Sequence, residues 1–204
     1  MRRPIRSAPA VLALVAICAG ALVAGCGSTA PPTGVAPITT AYSLNSTPWP
    51  NGTIGQFGLR IDPALLHLLP ASVSGLTVVE SPDNEVAAMD DPDLAKSFDA
   101  YAAASIGTPD DADWLQIVIG HLKPEAQTAD WYPSWRDQYA TGACSQADGV
   151  ASTAVQTIAD WQPDVSTCNG GVIVYSLQID AEHVLSMYDL GPRDLGRQLI
   201  QNLP

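Results

Sequence analysis

Beyond residue 56 the apolar positions change period several times, and each change predicts an element. Asp62-Pro63 combines a helix N-cap with proline at the first helical position, so a short apolar helix is read over 64–69, stopped by Pro70. The β-branched run Leu76-Thr77-Val78-Val79-Glu80 reads as a strand. Asp91-Pro92 repeats the helix start, and Leu94, Phe98, Tyr101 and Ala102 follow at helical spacing, predicting a helix that Gly107 closes. The nearly continuous apolar run over 114–122 suits a central strand, because such runs belong to strands buried on both faces. A helix is expected over 131–139 with Gly142 as its stop, then a strand over 151–158. Residues 172–179 alternate cleanly, with Ile173, Tyr175, Leu177 and Ile179 on one face, and Asp180-Ala181-Glu182 turns them into a second strand over 183–188. Gly191-Pro192 introduces a final helix carrying Leu195, Leu199 and Ile200. This order predicts one α+β domain over 56–204, with a mostly antiparallel sheet and helices packed on one face.

The preceding residues have a different character. Arg2, Arg3 and Arg6 lead into an apolar run over 10–24, the layout of an export signal. That run has 15 residues, short of the roughly 20 that span hydrocarbon as a helix. It ends in Leu22-Val23-Ala24-Gly25-Cys26, which resembles the bacterial lipobox, an aliphatic residue and two small ones before an invariant cysteine. The resemblance implies cleavage after residue 25 and a diacylglyceryl group on Cys26. Cys18 fits poorly, since the bulky Ile17 precedes it. Two acyl chains suffice for stable anchoring, at about 0.8 kcal/mol per buried methylene. Residues 27–55 contain no charge and are rich in Ser, Thr, Gly and Pro, including Pro31-Pro32, Pro37, Pro48 and Pro50. With Cys26 they read as a disordered tether over 26–55, whose ends would sit about 30 Å apart.

Charge narrows the partners. The 204 residues hold 9 Lys+Arg against 21 Asp+Glu, and loss of the leader removes three of those arginines and no acid. So acidic a surface repels phosphate backbones, which excludes nucleic acid as a partner. A basic protein partner would be attracted instead. No Walker loop, dinucleotide fingerprint, G-x-S-x-G elbow or H-E-x-x-H motif is present, so neither a cofactor nor a metal is expected and the chain reads as non-enzymatic.

Some residues still carry candidate chemistry. His67, His121 and His183 are scattered; His183, beside Asp180 and Glu182, is the strongest catalytic candidate should the chain be a small hydrolase. The acidic clusters over 90–93 and 110–113 lack calcium-loop spacing, and are read as a helix cap and a solvated turn. Trp131, Trp135 and Tyr139 recur at i, i+4 and i+8; that stripe is either core or the wall of a groove for a glycan or lipid. Cys144 and Cys168 are the thiols left besides the lipidated one. In the oxidising compartment implied by the lipobox they should pair, a bridge worth on the order of 3 kcal/mol.

The Arg-rich start, the lipobox, the Ser/Thr/Pro tether and the acidic, Ala-rich domain with one cysteine pair together resemble the small envelope lipoproteins of mycobacteria and related actinobacteria. The resemblance implies lipid anchoring on the extracytoplasmic face of the cell membrane. The expected function is a membrane-tethered binding or sensor-like module for an envelope lipid, a glycan or a basic protein. The alternatives are an envelope hydrolase using His183 with a neighbouring acid, and a structural or immunity-type surface protein.

Overall fold

The computed structural model describes residues 52–110 and 112–204. The leader, Cys26 and the tether up to residue 51 lie outside the described residues, as does Asp111 of the second acidic cluster. Thr53 and Ile54, at the end of the segment read as tether, already pair with the domain. The Ile61 N–H donates to the Thr53 carbonyl over 3.0 Å, and Ile54 bridges Arg60.

The architecture is a single α+β domain built on a mixed, mostly antiparallel sheet of eight strands. In chain order the strands are β1 (Arg60–Ile61), β2 (Ser72–Val73), β3 (Leu76–Thr77), β4 (Val79–Glu80), β5 (Phe98–Gly107), β6 (Trp114–Leu122), β7 (Val150–Val155), β8 (Asp164–Cys168), β9 (Ile173–Gln178) and β10 (His183–Leu190). The large sheet runs β1-β5-β6-β10-β9-β8-β7, with β4 also on β5, while β2 and β3 form a separate hairpin. Among the described residues only β1 is parallel to its neighbour. The helices are α1 (Pro82–Met89), α2 (Pro92–Ser97), α3 (Trp131–Cys144) and α4 (Leu195–Gln201), with a 3-10 turn at Pro63–Leu68.

The main departure from the sequence reading is β5. The expected helix stops at Ser97, and Phe98–Gly107 is a strand beside β6. Alanine favours helix by intrinsic propensity, but here burial on both faces overrides it. Ala100, Ala102, Ala104 and Ile106 face one core with Leu65, Leu195 and Leu199. Phe98, Tyr101 and Ala103 face another with Ala88 and Ala95. A register shift between Phe98 and Ala100 brings Phe98 onto the same face as Tyr101 and Ala103. Because both faces of the central strands are apolar, both need cover. α1, α2 and α3 lie on one face, whereas α4 and the 3-10 turn cover the other, so the helices expected on a single face are divided between two.

Smaller differences have local causes. The strand expected over 76–80 is interrupted at the buried Val78, giving β3 to the hairpin and β4 to the sheet. α3 passes Gly142 and ends at Cys144. The strand expected over 151–158 is β7, shorter and shifted by a residue. α1 and β8 carry too little periodicity to be read locally. Asp62 and Asp91 cap as expected, their carboxylates accepting from Ala64 N–H and from Asp93 and Leu94 N–H respectively.

The outer edge of β5 is shared by β1 and β4, and an unpaired amide remains at Ala103 between them. The side chain of Glu85, fully buried on α1, fills this gap: its Oε1 accepts from Ala103 N–H over 3.0 Å, while Oε2 has no partner. Burial, with the nearby Glu80 adding to it, pushes the Glu85 carboxyl up to about 8. A raised carboxyl pKa means that the folded state holds a proton which the unfolded chain releases near pH 4.5. Stability is therefore expected to fall as pH rises from about 5 to 8. Glu85→Gln, which keeps the acceptor and cannot ionise, should flatten that decline. Urea denaturation midpoints at both pH values check this; an equal decline in the variant would assign the effect elsewhere.

Candidate functional site

The face covered by α1, α2 and α3 carries a groove whose wall is α3 and whose floor is the sheet. α3 is fastened on two sides. The Tyr132 hydroxyl lies 2.9 Å from the Ser176 carbonyl oxygen and 3.0 Å from Asp164 Oδ2, and Arg136 pairs with Asp164 at 3.2 Å. Two indoles pin the other side, Trp131 Nε1 donating to Ser97 Oγ and Trp135 Nε1 to Ser186 Oγ, each at 2.9 Å. Phe98 meets both rings edge-on, at centroid distances of 5.5 and 4.9 Å. Trp131 and Trp135 stack at 5.7 Å, and Tyr139 follows Trp135 at 5.8 Å. The stripe expected at i, i+4 and i+8 therefore exists, and it is both core and wall. One side of it packs on Phe98, while all three rings remain half-buried and line open space.

That open space has three compartments meeting at Tyr139. A cleft of about 450 Å³ lies between α2 and α3, lined by Trp131, Trp135, Ser134, Gln138, Asp91 and Asp93 among others. A central chamber of about 290 Å³ follows, where the rings of Tyr101, Tyr139 and Tyr188 meet Asn84, Gln116 and Leu94. The third, of about 710 Å³, is walled by Tyr139, Ala143, Ala147, Val172, Tyr188 and Leu190. Leu190 is 40% exposed there. All three compartments are walled mostly by apolar surface; Asp91, Asp93, Ser97, Ser134 and Gln138 add polar groups at the cleft, and Ser145 and Gln146 at the third compartment.

The three phenols at the centre act as one group. Burial raises the pKa of each; the charges of Glu85 and Asp91 add to this at Tyr101, and the neighbouring Tyr101 and Tyr188 phenols at Tyr139. All three therefore stay neutral at physiological pH, and none is held by a hydrogen bond among the described residues. Each can donate one hydrogen bond to a guest and accept others. No lysine, arginine or histidine lines any of the three compartments, whereas Asp91 and Asp93 stand at the cleft.

The remaining candidates lie elsewhere. The disulfide between Cys144 and Cys168 is formed, with Cα atoms 5.3 Å apart, tying the end of α3 to the end of β8. His121 and His183, distant in sequence, face each other across β6 and β10 with ring centroids 5.1 Å apart. His121 Nδ1 lies 2.6 Å from Asp99, and His183 Nδ1 lies 3.0 Å from Asp180. The hydrolase reading calls for a cavity joining His183 to its acid; Asp180 is in place, but none of the groove compartments reaches either ring. His67 is exposed on the 3-10 turn. Among the described residues, no group of three or more His, Cys, Asp and Glu side chains is arranged to hold a metal ion. Tyr101, Tyr188, Asn84 and Gln116 escaped the sequence reading. Helical spacing places Tyr101 in a helix, and nothing local links β10 to α1.

No protein-family profile matches the sequence, and no curated protein or solved structure matches it significantly.

Proposed function

We propose that this chain is a lipid-anchored, non-enzymatic binding module on the extracytoplasmic face of the membrane, and that its groove holds an uncharged glycolipid of the cell envelope. One observation carries the ligand class: an aromatic cleft bearing serine and amide groups runs past three unpartnered neutral phenols into a wider chamber walled largely by Ala143, Ala147, Val172 and Leu190. Sugar rings stack on indoles and take hydrogen bonds from hydroxyls and amides, while an acyl chain needs only apolar walls. Anionic headgroups are disfavoured, because the acids at the cleft repel them and no cation compensates. A groove of this size also speaks against a pure spacer or immunity-type role. The anchor rests on the lipobox at Cys26 and the uncharged tether that follows it.

The test uses the full chain in detergent, titrated with a neutral glycosyl diacylglycerol and with phosphatidylglycerol, read by tryptophan fluorescence. The glycolipid should bind at least tenfold more tightly, and Tyr139→Ala should abolish that preference. Equal affinity for the two lipids, or a Tyr139→Ala variant that binds as before, would reject the ligand class. In parallel, Cys26→Ala should move the chain out of the membrane fraction; its retention there would reject the anchor.

A further inference from the structure

Just before β1 the chain folds into a short hairpin. The Ile61 N–H donates to the Thr53 carbonyl, Ile54 bridges Arg60 in the antiparallel sense, and the Gly55 N–H donates to the Leu59 carbonyl over 2.8 Å. A turn closes it, the Gly58 N–H donating to the Gly55 carbonyl over 2.9 Å, so Gln56 and Phe57 stand at its two corners. The hairpin is held firmly from behind. Leu59 and Ile61 are buried in the core with Ala88 and Phe98. Gly55 lies so close to α1 that a Cβ would come within 2.3 Å of the Met89 carbonyl oxygen. The tip, by contrast, is bare. Phe57 is 46% exposed and Ile54 64%, and Val86, one turn before Met89 on α1, is exposed as well. Apolar side chains left out on a rigid turn mark a surface that meets a protein or a membrane.

We propose that this hairpin is a second membrane contact, its Phe57 and Ile54 side chains dipping into the leaflet that carries the lipid on Cys26. Two features select a lipid surface over a protein partner or a second copy. The first is reach. Only residues 27–51 separate Cys26 from the hairpin, and as a tether they hold it within about 30 Å of the headgroups. Its effective concentration at the leaflet is then on the order of millimolar, so an apolar contact too small to bind from free solution is populated. The second is charge. No charged residue stands between Cys26 and Arg60 in a chain with 21 acids against 9 bases. This stretch therefore enters the interface without desolvating a charge, and its apolar tip gains by burial there. The contact also orients the domain. The hairpin leads into β1 at one margin of the sheet, while β7 forms the opposite margin, about 30 Å away at the usual strand spacing. The proposal rests on the anchor at Cys26 and is independent of what the groove holds.

Nitroxide labelling of the full acylated chain in phosphatidylcholine vesicles tests the contact. With Cys26 acylated and Cys144 bonded to Cys168, Gln56→Cys supplies one free thiol at the tip and leaves Phe57 intact. Ser152→Cys, on the exposed β7, is the reference. The label at position 56 should collide at least threefold more with dissolved oxygen, and at least threefold less with an aqueous nickel chelate, than the label at 152. Adding Phe57→Ser to Gln56→Cys should return both rates to the reference values, with the circular dichroism unchanged because Phe57 is exposed. A tip label as open to water as the reference would overturn the proposal, as would one indifferent to Phe57→Ser. A tip label shielded from both reagents would put protein there in place of lipid and overturn it too. Flotation of the same vesicles tells the two readings apart. Chains that do not float reject the anchor together with the contact that rests on it, and floating chains with an open tip label reject the hairpin contact alone.

Discussion

Phe98→Ala is expected to destabilise the domain by about 3–5 kcal/mol, the usual cost of deleting a fully buried phenylalanine. The ring is 1% exposed and supports the groove from beneath, edge-on to both Trp131 and Trp135. On its other side it lies against Gly120, where a Cβ would come within 2.4 Å of the ring. Urea denaturation should therefore show the loss as a lower midpoint at unchanged slope. The near-ultraviolet circular dichroism of the indole pair should weaken as well, since the rings lose the surface that orients them. Phe98→Leu, which returns most of the volume without the flat ring, should recover more than half of the stability but less of the indole signal. A loss below 1 kcal/mol with an intact indole signal would show that Phe98 does not hold the groove wall.

The second large effect belongs to the disulfide. Replacing both Cys144 and Cys168 by serine should cost about 3 kcal/mol, through loop-closure entropy returned to the unfolded chain. The bridge spans a sequence separation of 24, and both cysteines are buried. Its loop contains β7, whose side chains are all exposed and which packing alone secures weakly. The bridge also anchors the end of α3 and the turn after it, whose Ala143 and Ala147 wall the largest of the three compartments. Thermal unfolding with and without reductant separates the covalent effect from a packing defect. Reductant should lower the midpoint of the parent protein to near that of the double variant and leave the variant unchanged. If reductant moves neither, the bond contributes nothing to stability.

These two residues mark how unevenly the structure can be read from the chain. The disulfide was legible because Cys144 and Cys168 are the two cysteines left if Cys26 is lipidated and Cys18 goes with the leader, and an oxidising compartment would make them pair. The β9–β10 hairpin was equally legible, since Ile173, Tyr175, Leu177 and Ile179 alternate at period two toward one core. β6 declared itself as a nearly continuous apolar run. Phe98 was placed in a helix, because alanines at 100, 102, 103 and 104 carry no alternation and favour helix on their own. Gly120 on β6, which leaves room for the Phe98 ring, and the indoles of α3 packed on that ring belong to distant parts of the chain, and burial between them overrides the local preference. Of the groove, the chain disclosed the α3 stripe alone; the tyrosines on β5 and β10 that complete it are brought beside Tyr139 by strand order.

By itself, then, the sequence determined the α+β class, the main hairpin, the acidic charge balance, the cysteine pairing and the aromatic stripe. Each of these rests on composition, or on a period that a few neighbouring residues display. Tertiary structure alone decided that β5 is a strand, that helices cover both faces of the sheet, that three phenols share one chamber and that β7 is left open at the margin. Local periodicity records burial on one side only. A segment buried on both sides loses it, and a site assembled from residues 84 to 190 never had it.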